Sequence, residues 1–196
     1  MTRSTVILRA AERVQVPWKN GGGTTCVLAT HPPSASADAW DWRVSMAEVA
    51  TPGPFSYFEA VDRTLLLLSG TLDLAIGEGA GGERLQAGDV VRFAGDVPTF
   101  GTPVDGWATD LNIMVRRGQW RVAVERFGPS EAPQQLLLFG ESSLLFFADG
   151  GRMDDADLSA HDGVLLRGGQ GEAVHVETRG SLYLVSFLPM DQSASA

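Results

Sequence analysis

Period-two alternation of apolar and polar residues, broken at short intervals by Gly, Pro or Asp, runs through much of the chain. In DWRVSMAEV, Trp42, Val44 and Met46 fall on one side of an extended backbone and Arg43, Ser45 and Ala47 on the other. In DLNIMV, Leu111, Ile113 and Val115 oppose Asp110, Asn112 and Met114. RTLLLLSGTLDLAIG reads as two short strands around Ser69-Gly70-Thr71. DVVRF, QWRVAVERF, QQLLLFG, SLLFFADG, GVLLRGG, EAVHVET and SLYLVSFL continue the series. No long stretch carries a helical period, and EAPQQLLL holds at most one turn of helix. Short strands spaced this closely restrict the chain to antiparallel all-β architectures such as the jelly roll, of which the cupin is one form.

A weak internal echo divides the chain. DRTLLLLSG (62–70) resembles SSLLFFADG (142–150), and LQAGDVVRFAG (85–95) resembles LSAHDGVLLRGG (158–169). Two copies of one β-unit account for this. The expected architecture is two antiparallel β-barrel or jelly-roll halves: residues 1–118 with a ligand pocket, 119–190 as the second half, and 191–196 as a disordered tail. GDVVRFAGDVP (88–98) looks like a cupin strand motif, but the histidine such a motif carries after its proline is replaced by Thr99, Phe100 and Gly101.

The charge balance limits the partners. With 15 Lys and Arg against 24 Asp and Glu, the net charge is −9. Nucleic acid is excluded as a partner, because neutralising phosphates needs clustered cations; an anionic small molecule held by a few cations is not. Cys26 is the one cysteine, so no internal disulfide or multi-cysteine zinc site forms. The apolar runs at 65–68 and 136–139 are far shorter than a membrane span. The expectation is a cytoplasmic protein with no membrane partner.

VPWKNGGGTT (16–25) resembles a phosphate loop at first sight. A phosphate loop places its glycines before the lysine and opens a helix. Here Lys19 precedes the glycines and TTCVLAT is strand-like. A tight turn seating Trp18 on the core is the plain reading. Three consecutive glycines, with donors at Lys19 and Asn20, add the reading of a backbone that closely approaches a ligand.

VPWKNGGGTT, then DWRVSMAEVATPGPFSYFEAVDRTLLLLSG, then DLNIMVRRG, resembles the HutD/Ves family in motif order over most of residues 6–118. That resemblance implies a bicupin. It also implies a regulatory, non-enzymatic role in histidine utilisation, through binding a metabolite such as urocanate or formylglutamate.

The candidate chemistry follows by residue type. Cupin metal sites take two or three histidines and a carboxylate, whereas His31, His161 and His175 form no His-x-His pair. Neither a metal nor another cofactor is expected. Cys26 lies in a β-branched strand without a neighbouring histidine, and no residue is assigned a catalytic role. Anion recognition remains. Arg43 and Ser45 share one strand face, Asp110 and Asn112 share another, and Arg63 follows Asp62 before an apolar strand.

On this reading the ligand site comprises Trp18, Lys19, Asn20, Gly21, Gly22, Arg43, Ser45, Phe55, Arg63 and Asn112, and the partner is a small-molecule carboxylate. The plain alternative pairs Arg43 or Arg63 with Asp62 or Asp110 at a rim. Trp42, Phe55, Phe58 and Phe100 are candidates for the apolar wall. TPGPFSYF (51–58) is read as the pocket mouth, with a homodimer contact as the alternative. A metal-independent isomerase or lyase for a small acid, with Lys19 or Glu48 as base, is the competing function. A structural module with a filled pocket is the third.

Overall fold

The structure is a computed structural model that describes residues 3–18, 21–33, 35, 39–78, 81–104 and 106–190. Its strands are β1 (Ser4–Leu8), β2 (Val16–Pro17), β3 (Gly23–His31), β4 (Trp42–Val49), β5 (Gly53–Pro54), β6 (Val61–Ser69), β7 (Thr71–Ile76), β8 (Glu83–Gln86), β9 (Val90–Ala94), β10 (Thr99–Pro103) and β11 (Ala108–Arg116). They continue as β12 (Trp120–Phe127), β13 (Ser130–Leu137), β14 (Ser142–Phe147), β15 (Gly151–Met153), β16 (Ala156–Leu158), β17 (Gly163–Arg167), β18 (Ala173–Thr178) and β19 (Leu182–Pro189). Apart from one short 3-10 turn at Ala10–Glu12, the regular structure among the described residues is strand, and the strand pairs are antiparallel. Among the described residues no helix is long and apolar enough to cross a membrane.

The chain forms two compact units, Val14–Arg117 and a second that joins the segment through Arg13 to the chain from Gly118 on. The division therefore falls at Val14 and after Arg117, where the sequence reading set 1–118 and 119–190. The reason is β1, which pairs along its whole length with β17, from Ser4 opposite Arg167 to Leu8 opposite Gly163. Residues 191–196, read from sequence as a tail, lie outside the described residues.

In the Val14–Arg117 unit, a six-stranded sheet in the order β2-β3-β4-β11-β6-β9 accompanies a four-stranded sheet in the order β5-β10-β7-β8. Val49, Leu65, Leu67 and Ala108 of the first share an apolar core with Leu72, Leu74 and Leu85 of the second. The second unit pairs a five-stranded sheet, β1-β17-β14-β19-β12, with a four-stranded one, β13-β18-β15-β16. There Leu145, Phe147, Leu166 and Leu184 meet Leu136, Met153, Val174 and Val176. The expected β-barrels are not found among the described residues: each unit is a pair of open sheets packed over one core. The echo in the sequence has a topological counterpart, since β6 lies between β9 and β11 as β14 lies between β17 and β19.

EAPQQLLL is strand as far as Leu137, not a turn of helix. It lies in β13, at the edge of its sheet, and the register shifts between Ser130 and Gln134. An edge position with a local irregularity is where a strand tolerates a proline, here Pro133.

Candidate functional site

Alternation on three neighbouring strands of the six-stranded sheet builds the site. β11 is central, paired with β4 on one side and β6 on the other. Ser45 and Leu65 both face the register position of Asn112, and Met114 lies opposite both Arg43 and Arg63. The inward face of each strand is apolar at one end, at Val49, Leu65, Leu67 and Ala108. Farther along it turns polar, at Arg43, Ser45, Arg63, Asp110 and Asn112. These polar residues line a cavity of about 230 Å³, together with Trp18, Thr25 and Ala47, Pro54 to Ser56, Phe58 and Met114. That volume suits a ligand smaller than a drug-sized molecule.

Arg63 is the central cation, and only 4% of its surface is exposed. Its Nε–H donates to Asn112 Oδ1 at 3.3 Å and an Nη1–H donates to the Ser56 carbonyl at 3.2 Å. The guanidinium lies 5.2, 5.8 and 5.0 Å from the ring centroids of Phe55, Phe58 and Phe93. Ring faces stabilise a desolvated cation electrostatically. Burial nonetheless draws the guanidinium down from its ordinary value to about 10, against the opposing pull of the Asp110 charge. Two of its five N–H groups are used, which leaves a planar fork able to grip a carboxylate with paired hydrogen bonds.

Asp110 is 1% exposed, and neither carboxylate oxygen accepts a hydrogen bond from any described residue. Burial pushes its carboxyl from 3.8 up to about 7, and the charge of Arg63 only partly counters this. The pairing of Arg63 or Arg43 with Asp62 at a rim is not what forms. Asp62 has the opposite parity to Arg63 on β6, and its Oδ1 accepts from Arg117 Nε at 2.7 Å on the exposed side.

The glycine run is a turn that seats Trp18. Gly21 takes φ +70°, and its N–H donates to the Trp18 carbonyl at 3.0 Å. The Trp18 N–H donates to the Gly23 carbonyl at 2.9 Å, and the indole Nε1–H to Thr25 Oγ1 at 2.7 Å. A Cβ on Gly23 would overlap the Glu48 carbonyl oxygen across the β3–β4 pair and stand 3.2 Å from Trp18 Cε3. Gly23→Ala is expected to destabilise the protein by about 2 kcal/mol, because backbone and indole must both shift. Urea unfolding measures this, and an unchanged midpoint would refute the close packing.

Of the residues assigned from sequence, the structure gathers Trp18, Arg43, Ser45, Phe55, Arg63 and Asn112 around the one cavity. Gly21 and Gly22 are not among its lining residues, and Lys19 and Asn20 lie outside the described residues. Two of the aromatic candidates belong elsewhere. Trp42 lies on the opposite face of β4 and stacks on His31 at 5.6 Å, and Phe100 is 44% exposed on β10. Phe55 and Phe58 line the cavity, so part of the 51–58 loop forms its wall.

Sequence reasoning missed Thr25, Ala47, Pro54, Ser56 and Met114. It left Asp110 out of the ligand set, although the parity shared with Asn112 was the available signal. Glu48, the candidate base, has the parity of Trp42 on β4 and is exposed.

Among the described residues no group of three or more His, Cys, Asp or Glu side chains comes together as a metal ligand set. His161 stacks on Phe146 at 5.9 Å, and His175 lies on β18. Cys26 is buried on β3.

This architecture has solved counterparts. HutD from Pseudomonas fluorescens SBW25 superposes with a TM-score of 0.84 at 22% identity, over 96% of this chain and 100% of that one. Protein Ves of Citrobacter koseri is 30% identical over 177 residues, 88% of this chain and 89% of its own. A 21.2 kDa Pseudomonas putida protein, described as lying in the hutC 3′ region, is 27% identical over 186 residues, 93% of this chain and 96% of its own. The sequence profile of the HutD family matches residues 10–184, and with the fold and these relatives in agreement, this chain belongs to the HutD family.

Proposed function

We propose that this chain is a metal-free bicupin that binds a small carboxylate metabolite in the Val14–Arg117 unit and regulates histidine utilisation through it. The two units are read as two cupin-like halves, of which the first carries the site. Arg63 is the observation that carries this reading. A buried guanidinium with unspent donors is expensive, and a ligand carboxylate supplies the geometry that satisfies it. The relative in the hutC 3′ region supports the metabolic setting. An acid of the size and planarity of urocanate suits a cavity with Arg63, Phe55, Phe58 and Trp18 in its walls.

Isothermal titration of the protein with urocanate, formylglutamate and histidine tests this. At least one of the two acids is expected to bind with a Kd below about 1 mM. Absence of heat with all three would overturn the proposal.

A metal-independent isomerase or lyase acting on a small acid is the second reading, and one observation favours it. A carboxyl held near 7 in a cavity is what general acid–base chemistry uses. Asp110, rather than the exposed Glu48, would then be the base. The NMR spectrum of the acid after long incubation with stoichiometric protein separates the readings: new resonances mean turnover, and an unchanged spectrum means binding alone.

A further inference from the structure

Arg63 accounts for one end of a ligand, and among the described residues Asp110 has no hydrogen-bond partner in the same cavity. Asp110 is a lining residue of the cavity, and its two oxygens are buried and accept nothing from the described residues. Buried polar atoms are nearly always hydrogen-bonded, so an orphaned carboxylate facing a cavity requires an explanation.

The layout supplies one. The Arg63 guanidinium is level with Asn112, to which its Nε–H donates. Asp110 lies one same-face step along β11, about 7 Å away at strand spacing. Among the described lining residues, the charged groups are Arg43 on β4, Arg63 on β6 and Asp110 itself. The remainder of the wall around Asp110 is uncharged, at Trp18, Thr25, Ser45 and Ala47.

Resting on the carboxylate-binding reading above, we propose that Asp110 is the second recognition pole and that the ligand class is a small acid that also carries an N–H donor. A plain monocarboxylate would leave the Asp110 oxygens dry. A dicarboxylate would set a second anion against them in a low-dielectric space. An N–H donor gives a charge-assisted hydrogen bond at that end while Arg63 grips the other. Specificity then arises as it does wherever a buried polar group awaits a partner: the analogue that lacks the donor is penalised twice, by the missing bond and by the unsatisfied acceptor.

The test compares two planar acids of nearly equal size, urocanate with its ring N–H and 3-(3-furyl)acrylate without one. Both are titrated calorimetrically at pH 8 into the wild-type protein and into Asp110→Asn. Wild type is expected to prefer the N–H acid by about ten- to a hundredfold. Asp110→Asn, nearly isosteric and neutral, is expected to reduce that preference to within about threefold, since its amide supplies donors as well as an acceptor. Equal affinities in wild type, or a preference unchanged in the variant, would overturn this inference and leave the carboxylate reading standing. Failure of both acids to bind wild type would overturn this inference, and the carboxylate reading with it where formylglutamate and histidine give no heat either. The wild-type comparison needs no variant, so it decides the matter even if Asp110→Asn folds poorly.

Discussion

On the proposed reading, Arg63→Met is expected to lower the affinity for a small acid by at least about a hundredfold, while the protein remains folded. A carboxylate in the guanidinium fork makes two charge-assisted hydrogen bonds, each worth roughly 1.5–3 kcal/mol, and methionine replaces neither. Folding tolerates the change for a separate reason. The side chain lies among Phe55, Phe58 and Phe93, and its burial is already unfavourable to its charge. Methionine keeps the apolar stem and the contacts with the rings. The losses are the donors to Asn112 Oδ1 and the Ser56 carbonyl, about 1 kcal/mol each. Removing a desolvated cation offsets part of that. Arg63→Lys keeps a charge without the planar fork and is expected to fall between the two. Calorimetry beside a thermal melt checks all three proteins. Wild-type affinity in Arg63→Met would show that the acid does not bind at this guanidinium.

Alternation made part of this cavity's lining legible in the sequence. The parity of DWRVSMAEV and DLNIMV separates Arg43 and Ser45 from Trp42 and Val44, and Asp110 and Asn112 from Leu111 and Ile113, as the structure does. What parity does not tell is which face of a strand encloses a cavity. Both faces of β11 are buried from Ala108 to Val115, so hydrophobicity gives no preference between them. Trp42 was therefore offered as cavity wall although it lies on the opposite face.

The same limit explains Asp110. Its neighbours made a rim ion pair with arginine the economical reading, and only the packed sheets show it buried, without a direct ion pair to Arg63. Pro54, in the two-residue strand β5, and the loop residue Ser56 carry no periodic signal, and nothing local marks Ser56 as the carbonyl that accepts from Arg63. Strand partnership is non-local for the same reason: no feature of STVIL announces that β1 pairs with β17, more than 150 residues along the chain and in the same unit.

Asp110→Asn is expected to raise the melting temperature by about 10 °C at pH 8 and to leave it nearly unchanged at pH 4. The folded protein holds this carboxyl at about 7, whereas an unfolded chain releases the proton near 3.8. Between those values the unfolded state has lost a proton that the folded state keeps. Stability therefore falls as the pH rises through that window and levels off above about 7. The full penalty on the ionised side chain is about 4 kcal/mol, which corresponds to about 10 °C for a chain of this size.

Arg63 does not reverse the sign, because its attraction is already contained in the position of the Asp110 carboxyl. Asp73, Asp96 and Asp162 are all held below their ordinary range, by arginine or backbone donors, so their contributions fade only as the pH drops below about 4. They act outside the window and are common to both proteins. An equal gap at the two pH values, or a lower melting temperature for Asp110→Asn at pH 8, would show that the wild-type carboxylate is compensated in the folded state. A gap that opens only as the pH rises would identify an uncompensated charge. Adding an N–H acid to the wild-type protein should then narrow it, because the ligand supplies the donor that the sheets withhold.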